Sequence, residues 1–216
     1  MAKIITGIQP SGIIHIGNYL AAIKPIVELS KDPRHRVMGF VANYHAMTSN
    51  TDFQSLRENT IDTFLNWLAC GIDTEKGILY IQSDIPEVQE FTWFLYNLCP
   101  MGLLERSTAY RDKVENGLSA NAGLFNYPVL MTADILMSDS EVVPVGKDQT
   151  QHLEISRDLA QKANRIWKLG FKEPQAYILD EVGVVPGLDG RKMSKSYHNT
   201  IPLFSNEKEL RKKVMS

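Results

Sequence analysis

Two stretches of this 216-residue chain carry residue types that suit phosphate chemistry. The first is Gly7–Asn18, GIQPSGIIHIGN, where the β-prone run Lys3–Thr6 is broken by Pro10, Ser11 and Gly12 before Gly17 and Asn18 open an amphipathic segment. Glycine lets a flat ring or a phosphate approach the backbone, and the unpaired N–H groups of a helix N-terminus attract anions. A plain strand-to-helix turn has the same pattern, so this stretch alone leaves both readings open. The second is RKMSKS, Arg191–Ser196, which comes after a glycine-rich loop and sets Lys192 and Lys195 three residues apart around two small hydroxyls. Two ammonium groups on a flexible loop suit a polyphosphate whose leaving group gathers charge. A solvated basic loop has that composition too.

The elements that must hold these stretches are set by periodicity. Asn18–Ser30 groups Tyr19, Leu20, Ile23, Ile26, Val27 and Leu29 on one side of a helix, with Pro25 as a kink or early stop. Arg36–Val41 reads as a second strand leading to the polar turn Asn43, Tyr44, His45. Thr51 or Asp52 caps a long helix that runs to Cys70 and stops at Gly71. Ile78–Ile81 is a third strand, and Pro86 with Glu87 starts a helix that ends at Pro100. Arg106–Asn121 has no clear period and reads as a mobile surface segment. Beyond it come a compact helix over Tyr127–Met137, a strand over Glu141–Val145, a helix over Gln149–Trp167, a short strand near Tyr177–Leu179 and the loop Gly183–Gly190. Asn206 and Glu209 have capping-box spacing for a last helix. Strands and helices alternating at this size predict a doubly wound parallel α/β sheet, which binds ligands at the carboxyl ends of its strands. Gly7–Ser11, Asn43–His45, Gly146–Gln149 and the loop before Lys192 all fall at such ends.

With 44% hydrophobic and 22% charged residues, the chain has the composition of an ordinary globular protein of one large or two small domains. A formal net charge of -2 carries no overall basic signature, so any nucleic-acid contact must come from a local patch. Cys70 and Cys99 stand isolated, without metal-ligand spacing, and read as small buried residues in a reducing compartment; no protein metal site is expected. The first residues lack a basic start leading into an apolar core, and no apolar run is long enough to span a bilayer. The expectation is a cytoplasmic chain with no membrane partner.

HIGN and KMSKS, in this order, are together the two signatures of the class I aminoacyl-tRNA synthetases, which this chain resembles. More narrowly, GIQPSG with HIGN, YPVLMTADIL and VPVGKDQTQHLEISRDLA are similar to the bacterial tryptophanyl-tRNA synthetases, over nearly the whole chain. The resemblance implies a Rossmann-like catalytic domain over 1–200, with 201–216 as the truncated start of a helical domain that binds tRNA and reads its anticodon. The implied activity joins L-tryptophan to ATP, as tryptophanyl-adenylate and pyrophosphate, and passes the aminoacyl group to tRNA(Trp). The resemblance also implies a homodimer, and the chemistry of ATP implies an accompanying Mg2+. The tryptophan carboxylate is ionised at neutral pH and attacks the α-phosphorus in line, so no general base is needed.

Residue by residue, the resemblance puts Gln9, Pro10 and Ser11 beside ATP, Gly17 under the adenosine and Asn18 at the phosphates. Gly146, Lys147, Asp148 and Gln149 close over the ribose and the amino acid, and Val185 lies against the adenine. Lys192 and Lys195, framed by Met193, Ser194 and Ser196, hold the pyrophosphate; Lys113 is a second phosphate-seeking lysine, and His15 adds a phosphate or transition-state donor. Gly7, Gln9, His45, Tyr127, Met131, Asp134, Val143 and Gln149 surround the tryptophan. Three features depart from the family pattern: His15 stands where threonine is common, Asn43 and Tyr44 replace an Asp-Gln pair, and the loop VPGLDGR is of a shorter type.

Helical geometry supports the specificity role, since Tyr127, Met131 and Asp134 fall at i, i+4 and i+7 on one face. A carboxylate beside a ring and a thioether needs a hydrogen-bond donor if buried, and an indole N–H is a donor only. Phenylalanine would then leave Asp134 unpaired, a penalty of several orders of magnitude in a site built this way. A cap or a surface salt bridge is the other role for Asp134. Of the competing functions, a tyrosyl-tRNA synthetase shares the fold and both signatures, but a phenol-recognising tyrosine is expected where GIQPSG stands. A fragment that only binds tryptophan and ATP is the non-catalytic alternative. A dinucleotide-binding dehydrogenase lacks its GxGxxG, and a P-loop fails because Asp148 comes directly after Gly146-Lys147.

Overall fold

Neighbouring Ile4 and Ile5 are both buried, which in a strand means apolar cover on two faces. They lie in β1 (Ala2–Ile8), flanked by β2 (His35–Val41) and β4 (Val142–Val145), with β3 (Ile78–Ile81) beyond β2 and β5 (Gln175–Ile178) beyond β4. All pairings are parallel and the order is β3-β2-β1-β4-β5, the predicted doubly wound α/β sheet. The computed structural model describes residues 2–116, 120–146, 149–178 and 185–215, without the side chains of Ala109, Lys113 and Ser196. The chain winds outward from β1 to β3, then returns to start β4 on the other side of β1. That reversal leaves a crevice at the carboxyl ends of β1 and β4.

The Ile4 face is covered by Ile23, Ile26 and Val27 of the first helical stretch and by Trp67 of a later helix. The Ile5 face carries Phe40, Val143, Val145, Ile135 and Leu153. Between β1 and β2 the predicted single helix is three pieces: α1 (Ile16–Asn18), a π turn (Tyr19–Ile23) and α2 (Lys24–Lys31). Pro25 is the cause, since its ring excludes the carbonyl four residues back and it has no N–H to donate; the wider π turn absorbs both. After β2 comes the single turn α3 (Asn43–Ala46), then α4 (Phe53–Ala69), whose cap is Asp52, accepting from the Gln54 and Ser55 N–H groups. It stops at Cys70 and Gly71, the latter at φ 86°.

Besides a two-residue shift in the start of β5, whose predicted end Leu179 lies outside the described residues, two helix boundaries and one whole segment differ from expectation. The helix α5 (Glu87–Tyr96) ends four residues short of Pro100, and Pro100 instead caps α6 (Met101–Glu105). The region read as a mobile surface segment contains α7 (Thr108–Glu115). It is tied down from outside: Gln151 accepts from Thr108 N at 2.8 Å and donates to Arg106 O at 3.0 Å, and Tyr110 meets Phe125 edge-on at 4.8 Å. Local periodicity cannot report such contacts. α8 (Ala122–Met137) starts five residues before the predicted Tyr127, capped by Asn121, and runs through Pro128 within its first two turns. α9 (Thr150–Trp167) matches its prediction, and α10 (Glu207–Val214) is capped by Asn206 accepting from Glu209 N at 2.9 Å, as the spacing requires. α5, α8 and α9 share an apolar core of Val88, Leu95, Val129, Ala133, Ile155 and Leu159. Among the described residues no helix is long and apolar enough to cross a membrane.

Candidate active site

A cavity of about 350 Å³ opens at the crevice between β1 and β4. Gly7 and Gln9 come from the end of β1, Val143 from β4, Gly146 and Gln149 from the turn after it, His45 from α3, and Tyr127, Met131 and Asp134 from one face of α8. All eight residues that the resemblance ties to tryptophan thus line one cavity. Gly7 is required by its neighbour, because a Cβ there would lie 2.6 Å from Cζ of Phe40. The Phe40 ring lies on that bare backbone and stacks on Tyr80 at 5.5 Å, which makes this wall flat and apolar.

Asp134 sits at the base, 3% exposed. His45 Nε2–H donates to Asp134 Oδ2 at 2.8 Å, and the Gln82 amide donates to both carboxylate oxygens at 2.9 Å. This corrects the expectation that Asp134 depends on a ligand for its hydrogen bonds. The protein already supplies two donors, and a carboxylate with about four lone-pair sites can still accept another. Gln82 is itself held, its Oε1 accepting from Tyr44 N at 3.1 Å, while Asn43 and Ser83 exchange two further bonds. Of the two residues that depart from the family pattern, Asn43 clamps the Gln82 turn through its carboxamide, whereas Tyr44 contributes only its main-chain N–H. Burial, and next the charge of Asp134, pushes the Tyr80 hydroxyl pKa well above its ordinary value. Tyr127 hydrogen-bonds through its hydroxyl to the buried His152 ring. Sequence reasoning missed Gln82 and His152. Gln82 had one visible signal, a polar residue directly after a strand on the ligand-binding side of the sheet.

The lysine loop closes on the opening turn. Lys195 Nζ donates to Ser11 O at 2.9 Å and to Ser11 Oγ at 3.2 Å, and its partial burial lowers its pKa. His15 is the N-cap of α1: its Nδ1 accepts from Asn18 N at 3.3 Å, and Asn18 Oδ1 accepts from His15 N at 3.2 Å. The neutral ring then carries its proton on Nε2. Burial, and after it the Lys195 charge, holds the His15 pKa below its ordinary value. Gly17 packs between the His15 ring and Met193, where a Cβ would come within 3.0 Å of Nδ1 and 3.6 Å of Met193 Cβ. HIGN and KMSKS are thus in direct contact. Val185 braces the loop by accepting from Met193 N at 2.8 Å; Pro10 is buried, while Ser11 and Lys192 are exposed. Lys147 and Asp148, and the side chains of Lys113 and Ser196, lie outside the described residues.

The family profile described as class I tRNA synthetases (W and Y) matches residues 1–216. The curated tryptophan–tRNA ligase of Campylobacter jejuni is 52% identical over 214 residues, covering 99% of this chain and 66% of its own length. That of Fusobacterium nucleatum is 51% identical over 217 residues, again covering 66% of its own length. The chain therefore spans just under two thirds of these relatives. A crystal structure of the Campylobacter jejuni tryptophanyl-tRNA synthetase in complex with ADP and tryptophan superposes with a TM-score of 0.91 at 52% identity, over 99% of this chain and 66% of that one.

Proposed function

Because the chain belongs to the class I tRNA synthetases of the tryptophan and tyrosine branch, we propose that it carries the adenylate-forming site of a tryptophan–tRNA ligase. The observation that carries this reading is the junction of two sites. A cavity ending on a buried, ionisable Asp134 opens beside a turn on which Lys195 already rests. Tryptophan enters with its indole N–H toward Asp134 and its ring between Gly7, Met131, Tyr127 and Val143. Gln9, His45 and Gln149 complete that pocket. ATP lies over Gln9–Ser11, Gly17 and Asn18, with Gly146–Asp148 and Val185 about its nucleoside.

In the step proposed, a tryptophan carboxylate oxygen bonds to the α-phosphorus as the bond to the bridging oxygen of the β-phosphate breaks, and pyrophosphate leaves with that electron pair. The nucleophile is already charged, so the chain's part is positioning and neutralisation. Lys192 and Lys195 meet the leaving pyrophosphate, with Met193, Ser194 and Ser196 shaping their loop, and Lys113 and the His15 Nε2–H add donors to the phosphates. Among the described residues no three His, Cys, Asp or Glu side chains gather as a metal site. Mg2+ is assigned to the ATP phosphates, as magnesium commonly binds.

We assign residues 1–200 to this catalytic unit and 201–216, with α10, to the start of a helical region serving tRNA(Trp). The relatives' name, tryptophan–tRNA ligase, supports the further proposal of transfer to that tRNA. A homodimer and a cytoplasmic setting are proposed on the family resemblance alone. The test is exchange of labelled pyrophosphate into ATP by this chain, with tryptophan or tyrosine supplied. Tryptophan-dependent exchange is expected. Exchange with tyrosine alone overturns the substrate assignment, and binding of tryptophan and ATP without exchange reduces the chain to a binding fragment.

A further inference from the structure

The lysine loop is crossed by one buried side chain from outside its signature. Residues 185–187 run antiparallel to 191–193, joined by Gly187 N to Arg191 O at 2.7 Å and Met193 N to Val185 O at 2.8 Å, with Gly190 at φ 77° in the turn. Lys195–Tyr197 form a single 3-10 turn, closed by His198 at φ 53°. The chain then doubles back at Asn199, 3% exposed, whose side chain lies across the hairpin. Asn199 Oδ1 accepts from Ser194 N at 2.8 Å, and its Nδ2 donates to Asp189 Oδ1 at 2.7 Å and to Lys192 O at 3.1 Å. Its own carbonyl accepts from Leu188 N at 3.1 Å. The fit is close enough to demand glycine opposite, because a Cβ at Gly187 would lie 2.3 Å from the Asn199 carboxamide.

The segment after Asn199 is tied down as firmly. Ile201 O accepts from Ile16 N at 3.0 Å and Leu203 N donates to Ile14 O at 2.9 Å, so this strand is fastened across the His15 turn. One buried carboxamide therefore joins the turn, the return strand and the exit of the lysine hairpin, immediately before the segment anchored to the other phosphate-facing motif. A free hairpin of this kind has many arrangements, and a reacting group gains from being held in one. We propose that Asn199 is a positioning residue that sets where Lys192 and Lys195 stand relative to the opening turn, and so governs the adenylate-forming step without touching substrate. This role rests on the chain being an adenylate-forming enzyme, as proposed above.

The test compares wild type with N199A, N199D and N199D/D189N, in pyrophosphate exchange, in tryptophan binding by calorimetry and in backbone hydrogen exchange over 186–198. N199A is expected to lower kcat for exchange at least tenfold while the tryptophan Kd stays within twofold. N199D sets two carboxylates against each other and is expected to be worse. Adding D189N restores an amide–carboxylate bond with the roles exchanged and is expected to recover threefold or more of the lost kcat. Wild-type kcat in N199A, equal losses in kcat and tryptophan affinity, or no recovery in the double variant would each overturn the proposal. Should wild type show no exchange, the functional reading fails separately, and hydrogen exchange still decides: lost protection over 186–198 in N199A supports the fastening role, and unchanged protection refutes it.

Discussion

The sharpest perturbation of the site is Asp134→Asn. Asp134 accepts from His45 at 2.8 Å and from Gln82 at 2.9 Å, so truncation and neutralisation have different consequences. In D134A the His45 and Gln82 donors are stranded in a buried site at about 1–3 kcal/mol each, which for a chain of this length lowers Tm by on the order of 10 °C. D134N keeps an oxygen for Gln82, and its amide can donate to His45 once the imidazole moves its proton to Nδ1. The scaffold survives, but the acceptor left for an indole N–H is neutral and shared. Losing a hydrogen bond to a charged group costs about 1.5–3 kcal/mol, roughly 10- to 150-fold in Kd. Calorimetric titration with tryptophan and with its benzothienyl analogue, in which sulfur replaces the ring N–H, isolates that contribution. Wild type is expected to favour tryptophan by at least tenfold, and D134N to bind the two alike. If D134N weakens both ligands equally, Asp134 shapes the pocket without reading the ring nitrogen.

Two further outcomes test the phosphate side. Lys195→Ala is expected to slow adenylate formation about 10²–10³-fold, the usual effect of removing one preorganised donor, with tryptophan affinity unchanged in the same preparation; parallel losses would remove the transition-state role. His15 has a folded-state pKa below its ordinary 6.5, so as pH falls below that value the unfolded chain takes up a proton that the folded chain does not, and stability declines. His15→Asn keeps a capping acceptor for α1 and removes that proton site, so the fall in Tm between pH 7.5 and 5 is expected to be shallower than in wild type. Identical slopes would show that His15 is not what makes the fold acid-sensitive.

Local chemistry was enough for much of this chain. Asp52 as a cap, Gly71 as a stop, Asn206 with Glu209, and the alternation of strands and helices all act within a few residues, so they could be read in order and they imply the sheet. The i, i+4, i+7 spacing likewise put Tyr127, Met131 and Asp134 on one face, because a helix sets that geometry wherever it sits. Other features are invisible at that range. α7 forms in a stretch without periodicity because Gln151, some forty residues away, supplies its first partners. Asp134 is satisfied by Gln82, 52 residues distant, and by His45, 89 residues distant, which only the winding of the sheet brings to one point. The same holds for Lys195 on Ser11, 184 residues apart. A short sequence carries the preference of a helix end or a turn, whereas the partner of a buried charge is chosen by how the layers pack. Thus the residue types announced what chemistry was available, and tertiary packing decided which groups are already paired before any ligand arrives.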